Sequence, residues 1–92
     1  SLIMLEISLQ QVPNQTFGVT IQGSTYELTL NSRLGDMYLS IVKDNQPVIY
    51  NRICQNNNPI GQFIFTDISG TENPAYTGFN DRFKLVWTDE VA

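Results

Sequence analysis

The residues of this sequence best suited to hydrolytic chemistry are five carboxylates in loop-rich or terminal segments. They are Asp67, Glu72, Asp81, Asp89 and Glu90. A catalytic pair of acids needs two environments that drive the pKa values of the carboxyl groups apart. Nothing in the sequence places two of these acids on one apolar surface. We therefore interpret them as solvated loop acids.

Nucleophilic catalysis is poorly supported, because the chain contains no histidine and a single cysteine, Cys54. These counts exclude a Ser–His or Cys–His pair, a classical zinc site with histidine ligands and an intrachain disulfide. We interpret Cys54 as a small semi-buried residue. A Ser–Lys pair would need Lys43 or Lys84, and neither lies in a recognisable motif. We predict that the protein is not an enzyme, since activity would require an unexpected convergence of Asp67, Asp81 and Lys84.

Glycine-rich and acidic loops give no sign of a phosphate or metal site. Gly61, Gly70 and Gly78 are far apart and match neither the Walker nor the dinucleotide-binding pattern. Residues 67–72 (DISGTE) are the nearest approach to a calcium loop, but they lack the necessary density of acidic residues. We predict no catalytic residues, no cofactor and no bound metal.

The aromatic residues divide into two groups. Strand spacing places one group in the predicted core: Phe63, Phe65, Phe83 and Trp87. The other group, Tyr76 and Phe79, lies in the loop 73–81. A loop aromatic either pins its loop to the core or contacts a partner. Pinning is favoured for Phe79, and the two roles are balanced for Tyr76. We retain both residues as candidate partner contacts.

The charge of the chain bears on the partners that it can bind. The net charge is −4, and charged residues make up 15% of the chain, against about 25% in an average globular domain. The five basic residues are scattered: Arg33, Lys43, Arg52, Arg82 and Lys84. Nucleic-acid binding relies on clustered Lys and Arg, and a membrane helix needs roughly 20 apolar residues in a row. We expect neither nucleic acid nor a membrane as a partner.

Apolar residues recur with period two along most of the chain, which is typical of half-buried β-strands. Glycine, proline and asparagine mark the turns between them. Pro47, which cannot donate to a ladder, is expected at a strand start or edge. Turns or loops are predicted at 13–14, 23–24, 31–36, 44–45, 56–59 and 68–81. The predicted strands are 3–9, 17–22, 26–30, 37–41, 47–53, 62–67 and 82–88, with 62–67 expected to be buried on both faces.

These elements predict an all-β protein of six to eight antiparallel strands, in a compact barrel or sandwich with little or no helix. The sequence contains no repeat, linker or low-complexity tract, so we expect one β domain over residues 1–92. The opening SLIM suggests Met4 as the native initiator, with residues 1–3 derived from a vector. No signal peptide is recognised at the start of the sequence.

Three segments together resemble a known family. They are 12–30 (VPNQTFGVTIQGSTYELTL), 37–41 (MYLSI) and 76–87 (YTGFNDRFKLVW). Their order and spacing are similar to those of small proteins encoded among the tail genes of contractile-tailed phages and prophages. The cyanophage baseplate plug proteins exemplify this family, and the resemblance runs from Leu5 to Trp87.

The resemblance implies a structural subunit of the baseplate that acts through contacts with hub or plug-region proteins and supplies no catalytic residues. It implies the phage tail as the location, with the bacterial cytoplasm before assembly. Few charges guard residues 3–9 and 17–22, so we predict that one of these strands contacts another tail protein or a second copy. The alternative is a small β-barrel module that binds a carbohydrate or other ligand on Tyr76, Phe79 and Trp87.

Overall fold

The protein is an all-β molecule, as predicted from the alternating apolar pattern. The computed structural model describes residues 3–89, and within them it contains seven strands and one turn of 3-10 helix at Tyr76–Gly78. The strands are β1 (Met4–Ile7), β2 (Asn14–Ile21), β3 (Ser24–Arg33), β4 (Asp36–Lys43), β5 (Gln46–Ile53), β6 (Phe63–Asp67) and β7 (Phe83–Thr88).

Strands β2 to β5 form a four-stranded antiparallel meander. Each connection is a two-residue turn in which both residues have positive φ. This geometry is that of type I′ turns, whose twist matches that of the flanking strands. The turn residues, with φ in degrees, are Gln22 (50) and Gly23 (80), Leu34 (52) and Gly35 (83), and Asp44 (50) and Asn45 (66).

The sequence prediction of a loop over residues 31–36 is wrong. Strand β3 continues to Arg33 and β4 begins at Asp36, so only Leu34 and Gly35 remain outside the ladder. A glycine that accepts positive φ is sufficient to close a two-residue hairpin. The turn predicted at 23–24 likewise lies one residue earlier, at Gln22 and Gly23.

The edge strand β5 pairs with β4 through two register shifts. The pairing changes between Leu39 and Ile41, where Asn51 adopts a φ of 45° and donates its backbone N–H to Ser40 Oγ at 2.9 Å. An extra residue on one strand is the definition of a β-bulge. Pro47 lies near the start of β5, in agreement with its expected position at a strand start or edge.

The second sheet has three antiparallel strands in the order β1-β7-β6. Because the central strand β7 pairs with β1, the first and last strands of the described chain lie side by side, with Met4 opposite Thr88 in the ladder. Beyond the ladder, the backbone N–H of Ile3 donates to Asp89 Oδ1 at 2.8 Å.

The two sheets pack by their inner faces as a sandwich, and both contribute to one hydrophobic core. Tyr26 of β3 meets Phe63 of β6 edge to face, with ring centroids 5.3 Å apart. Strand β6 alternates buried and half-buried residues, so the predicted burial on both faces is wrong. Phe63 and Phe65 face the core, whereas Ile64 lies half-buried on the outer face.

Candidate functional site

The acidic loop residues are organised around Asp67, which ends strand β6. Its side chain has no exposed surface, so the interpretation of Asp67 as a solvated loop acid is wrong. Its carboxylate accepts the backbone N–H groups of Ser69 and Glu72, both at 2.9 Å. Arg82 adds bonds from Nε at 3.1 Å and Nη2 at 2.5 Å, and its Nη1 lies 2.7 Å from Glu72 Oε2. The arrangement anchors the loop 68–82 to the sheet.

The electrostatics of this cluster follow from the ion pair. The side-chain hydrogen bond from Arg82 lowers the pKa of Asp67 to about 2, against the effect of burial. The same bond raises the pKa of Arg82. A general acid needs a pKa near the working pH, and this carboxylate is ionised far below neutrality. Asp67 is therefore suited to holding a loop in place rather than to proton transfer.

Apart from Glu72, the other candidate catalytic groups do not join Asp67. Lys84 Nζ donates to the backbone oxygen of Asn80 at 2.7 Å and lies 3.5 Å from Glu6 Oε2. Asp81 is exposed, and Asp89 accepts the N–H of Ile3. Glu90 lies outside the described residues. Within residues 3–89, no group of three His, Cys, Asp or Glu side chains could hold a metal ion.

Cys54 is more deeply buried than the predicted semi-buried residue. Only 1% of its surface is exposed, and its N–H donates to the backbone oxygen of Met37 at 2.8 Å. Desolvation raises the pKa of the thiol to about 12. Since the thiolate is the reactive form, Cys54 is an inert core residue.

The loop 68–82 is pinned to the core by its aromatic residues. Phe79 has no exposed surface and stacks on Phe65 with ring centroids 5.6 Å apart. Tyr76 is half-buried against the same core. The close approach of Gly78 to Phe83 completes this packing, because a Cβ on Gly78 would lie 2.6 Å from Phe83 Cδ2. Burial favours the pinning role for Phe79, and the contact role of Tyr76 stays a prediction.

The same burial removes two of the three rings on which the carbohydrate-binding alternative depended, and Tyr76 stays half-buried. Trp87 is 2% exposed and Phe79 is fully buried, so neither ring can lie against a sugar. The strongly exposed aromatic residue is instead Tyr50 of β5, at 84%. Sequence reasoning missed it because strand alternation alone cannot tell an edge strand from a central one.

Of the four strands at sheet edges, β6 is covered by the loop 55–60. The backbone N–H of Asn57 donates to the oxygen of Phe65 at 2.8 Å. Asn56 Oδ1 accepts the N–H of Asp67 at 2.9 Å, and Ile60 exchanges two backbone hydrogen bonds with Phe63. The asparagine-rich segment, predicted as a loop, thus occupies hydrogen-bonding groups that an edge strand otherwise presents to solvent.

The edge strands β1, β2 and β5 each pair with a neighbour on one side only. Two of them also expose apolar side chains: Met4 and Leu5 on β1, and Val48 and Tyr50 on β5. Charged side chains on an edge strand usually discourage pairing with another chain. Here β1 carries only Glu6, β5 carries only Arg52, and β2 carries none. Strand β5 has two further features that discourage pairing at an edge, Pro47 and a bulge. Among the edges of the described molecule, β1 and β2 are therefore better prepared for backbone pairing than β5.

Comparison with known families decides what kind of protein presents these edges. The family model described as cyanophage baseplate Pam3 plug gp18 matches residues 4–90. The chain belongs to this baseplate plug family. No match was found among the curated proteins.

Membership confirms the resemblance that the sequence motifs indicated. The baseplate plug family is a structural protein family of the phage tail, so the protein has a structural role in a baseplate. No helix in this part of the chain is long and apolar enough to cross a membrane.

Proposed function

We propose that this plug-family protein is a subunit of a contractile phage or prophage tail baseplate and acts only through protein–protein contacts. Its partners are hub or plug-region proteins of the same tail, and a second copy of the chain is a further candidate. The match over residues 4–90 is the observation that carries this proposal. Before assembly the protein is located in the bacterial cytoplasm. Its role involves no catalysis and no cofactor.

The three open edges support docking by strand addition. An extended segment that pairs with a free edge gains affinity from main-chain hydrogen bonds and specificity from alternate side chains. Strands β1 and β2 overlap the segments 3–9 and 17–22 singled out from the sequence, and β5 is a third candidate edge. Tyr76 remains a candidate contact, because its half-buried ring leaves part of its surface accessible on the loop 68–82.

Hydrogen exchange on mixtures tests this proposal. The chain is mixed with the purified products of the neighbouring tail genes, and a stable complex is identified by size-exclusion chromatography. We expect amide protection on at least one of β1, β2 and β5 in the complex. Strand β6 serves as the internal control, because loop 55–60 already covers its edge.

Two outcomes count against separate parts of the proposal. A complex without added protection on any of the three strands contradicts docking by strand addition and leaves the structural role intact. Failure to bind any of the neighbouring tail proteins contradicts the proposed partners themselves.

A further inference from the structure

A groove on the outer face of the four-stranded sheet has the chemistry of an anion site. Its volume is about 160 Å³, and its lining residues are Asn31, Arg33, Tyr38 and Asn51. Asn31 and Tyr38 lie opposite each other in the β3–β4 ladder, on the face away from the core. No carboxylate lines the groove, although the chain as a whole carries a net charge of −4.

The charge of the groove comes from Arg33, which has no ion-pair partner in the described structure. The two basic residues of the β7 region are paired: Arg82 with Asp67 and Glu72, and Lys84 with Glu6. Arg33 lies opposite Asp36 in the ladder, but their charged groups do not come within ion-pair distance. Its guanidinium is free to bind a carboxylate through two parallel hydrogen bonds.

Asn51, at the bulge of β5, adds the two N–H donors of its side-chain amide to the groove. Ser40 Oγ accepts the Asn51 backbone N–H at 2.9 Å and lies 3.5 Å from Asn51 Oδ1. This arrangement places the amide oxygen beside Ser40 and leaves the amide NH2 group without a protein partner in residues 3–89. Asn31 and the Tyr38 hydroxyl also lack protein partners there. The groove is therefore rich in donors around one positive charge.

We propose that this groove receives the carboxylate of a Glu or Asp side chain from a neighbouring protein in the assembly. The inference rests on the proposed function and deepens it, because it assigns a chemistry to one contact of the partner. Arg33 pairs with both carboxylate oxygens, while the Asn51 NH2 group and the Tyr38 hydroxyl complete their hydrogen bonds. Enclosure by a partner shields such a pair from water and strengthens it.

The groove is tested first with a probe that carries the carboxylate alone. The full chain, labelled with nitrogen-15, is titrated with the capped peptide Ac-Gly-Glu-Gly-NH2 and with its Gln counterpart. We expect saturable shifts at Asn31, Arg33, Tyr38 and Asn51 with the Glu peptide only. Uniform or non-saturating shifts, equal binding of the Gln peptide, or binding of inorganic phosphate in preference to the Glu peptide would overturn the assignment.

Variants distinguish the effect of the Arg33 guanidinium on peptide binding from the effect of surface charge in general. Arg33→Gln should weaken peptide binding at least about tenfold, because it removes a charged hydrogen-bond donor. Arg52→Gln is the matched control, since it removes the same charge from the exposed strand β5 outside the groove. It should change the Kd by less than about twofold. Asp36→Asn should leave binding intact or strengthen it, and loss of binding there would contradict the groove.

The same variants are then measured against the partner identified by size-exclusion chromatography. Arg33→Gln should weaken that complex and Arg52→Gln should not, with the difference shrinking as salt is raised. A complex insensitive to Arg33→Gln refutes the groove while the baseplate proposal stands. If the wild-type chain forms no complex, the proposed function fails, and the peptide titration still decides whether the groove binds a carboxylate.

Discussion

At the scale of single residues, Asp67 and Gly78 explain how the loop 68–82, which contains only one turn of 3-10 helix, is held against the sheet. Asp67 collects two backbone N–H groups and a guanidinium, and Gly78 allows the loop to lie directly on Phe83. One residue acts through charge and the other through the absence of a side chain. Each role yields a separable prediction.

The anchoring role of Asp67 predicts a pH-dependent stability. Its folded pKa of about 2 lies below the ordinary value of 3.8, so its contribution is fully present above pH 3.8 and is lost as the pH falls toward 2. Asp67→Asn should therefore unfold at a lower urea concentration than wild type at neutral pH. The gap between the two urea midpoints should close between about pH 4 and pH 2.

Asp81→Asn is the control for that experiment, because Asp81 is an exposed acid of the same loop and its carboxylate has no partner in residues 3–89. Its urea midpoint should follow wild type across the pH range. A gap between Asp67→Asn and wild type that is as large at pH 2 as at pH 7 would show that the carboxylate charge is not what anchors the loop.

The packing role of Gly78 predicts a steric penalty. A Cβ at this position would lie 2.6 and 2.8 Å from two ring carbons of Phe83, which is 5% exposed and has little room to move. Gly78→Ala should lower the free energy of unfolding by about 1–3 kcal/mol. Gly18→Ala on β2 meets only a backbone oxygen at 3.8 Å and should be neutral or slightly stabilising. Equal urea midpoints for the two variants would contradict the steric account.

At the scale of elements, period-two alternation was enough to predict the strands and the all-β class. It could not predict which strands are edges, because an edge strand and a central strand alternate in the same way. Pro47 indicated a strand start or an edge at 47–53, but the alternation gave no sign that Tyr50 would be strongly exposed. The residues 31–36 were taken for a loop because their polar composition hid a two-residue turn at Leu34 and Gly35.

The candidate site was less predictable than the fold. Arg33 and Asn51 lie 18 positions apart and share a groove only because β4 brings β3 and β5 together. The burial of Phe79 in the loop 68–82 likewise depends on its stacking against Phe65 of strand β6. Such pairings arise from tertiary packing, and local sequence patterns carry little information about them.

The loop 55–60 is an element whose function at the β6 edge can be tested directly. Asn56→Ala removes the oxygen that accepts the Asp67 backbone N–H at 2.9 Å. An unsatisfied buried N–H should lower the free energy of unfolding by about 1–2 kcal/mol and speed amide exchange at Asp67. Asn58→Ala, an exposed change in the same loop, should stay within about 0.5 kcal/mol of wild type. Unchanged exchange at Asp67 would show that the asparagine does not protect this edge.

At the scale of the whole molecule, the sandwich covers one of its four edges and leaves three that charges barely guard. An isolated protein with such edges risks non-specific pairing, whereas a subunit of an assembly can use them to dock. Membership of a baseplate family gives these edges a reason to remain open. The low charge content of the chain, 15%, fits a surface that is partly covered in the assembly.

If the open edges are used for docking, an added charge on one of them should block assembly without lowering the stability of the fold. Tyr50 is 84% exposed on β5, so Tyr50→Lys should preserve the urea midpoint. If β5 is a docking edge, the same change should weaken the complex with the partner at least about tenfold, because exposed tyrosines are frequent hot spots of interfaces. Thr25→Lys places the same charge on the outer face of β3, which is paired on both sides, and should leave the affinity unchanged.

Leu5→Lys and Thr20→Lys extend the test to β1 and β2. Normal binding by all three edge variants would mean that the partner docks on a face or a loop, because each free edge would then have been tested with an added charge.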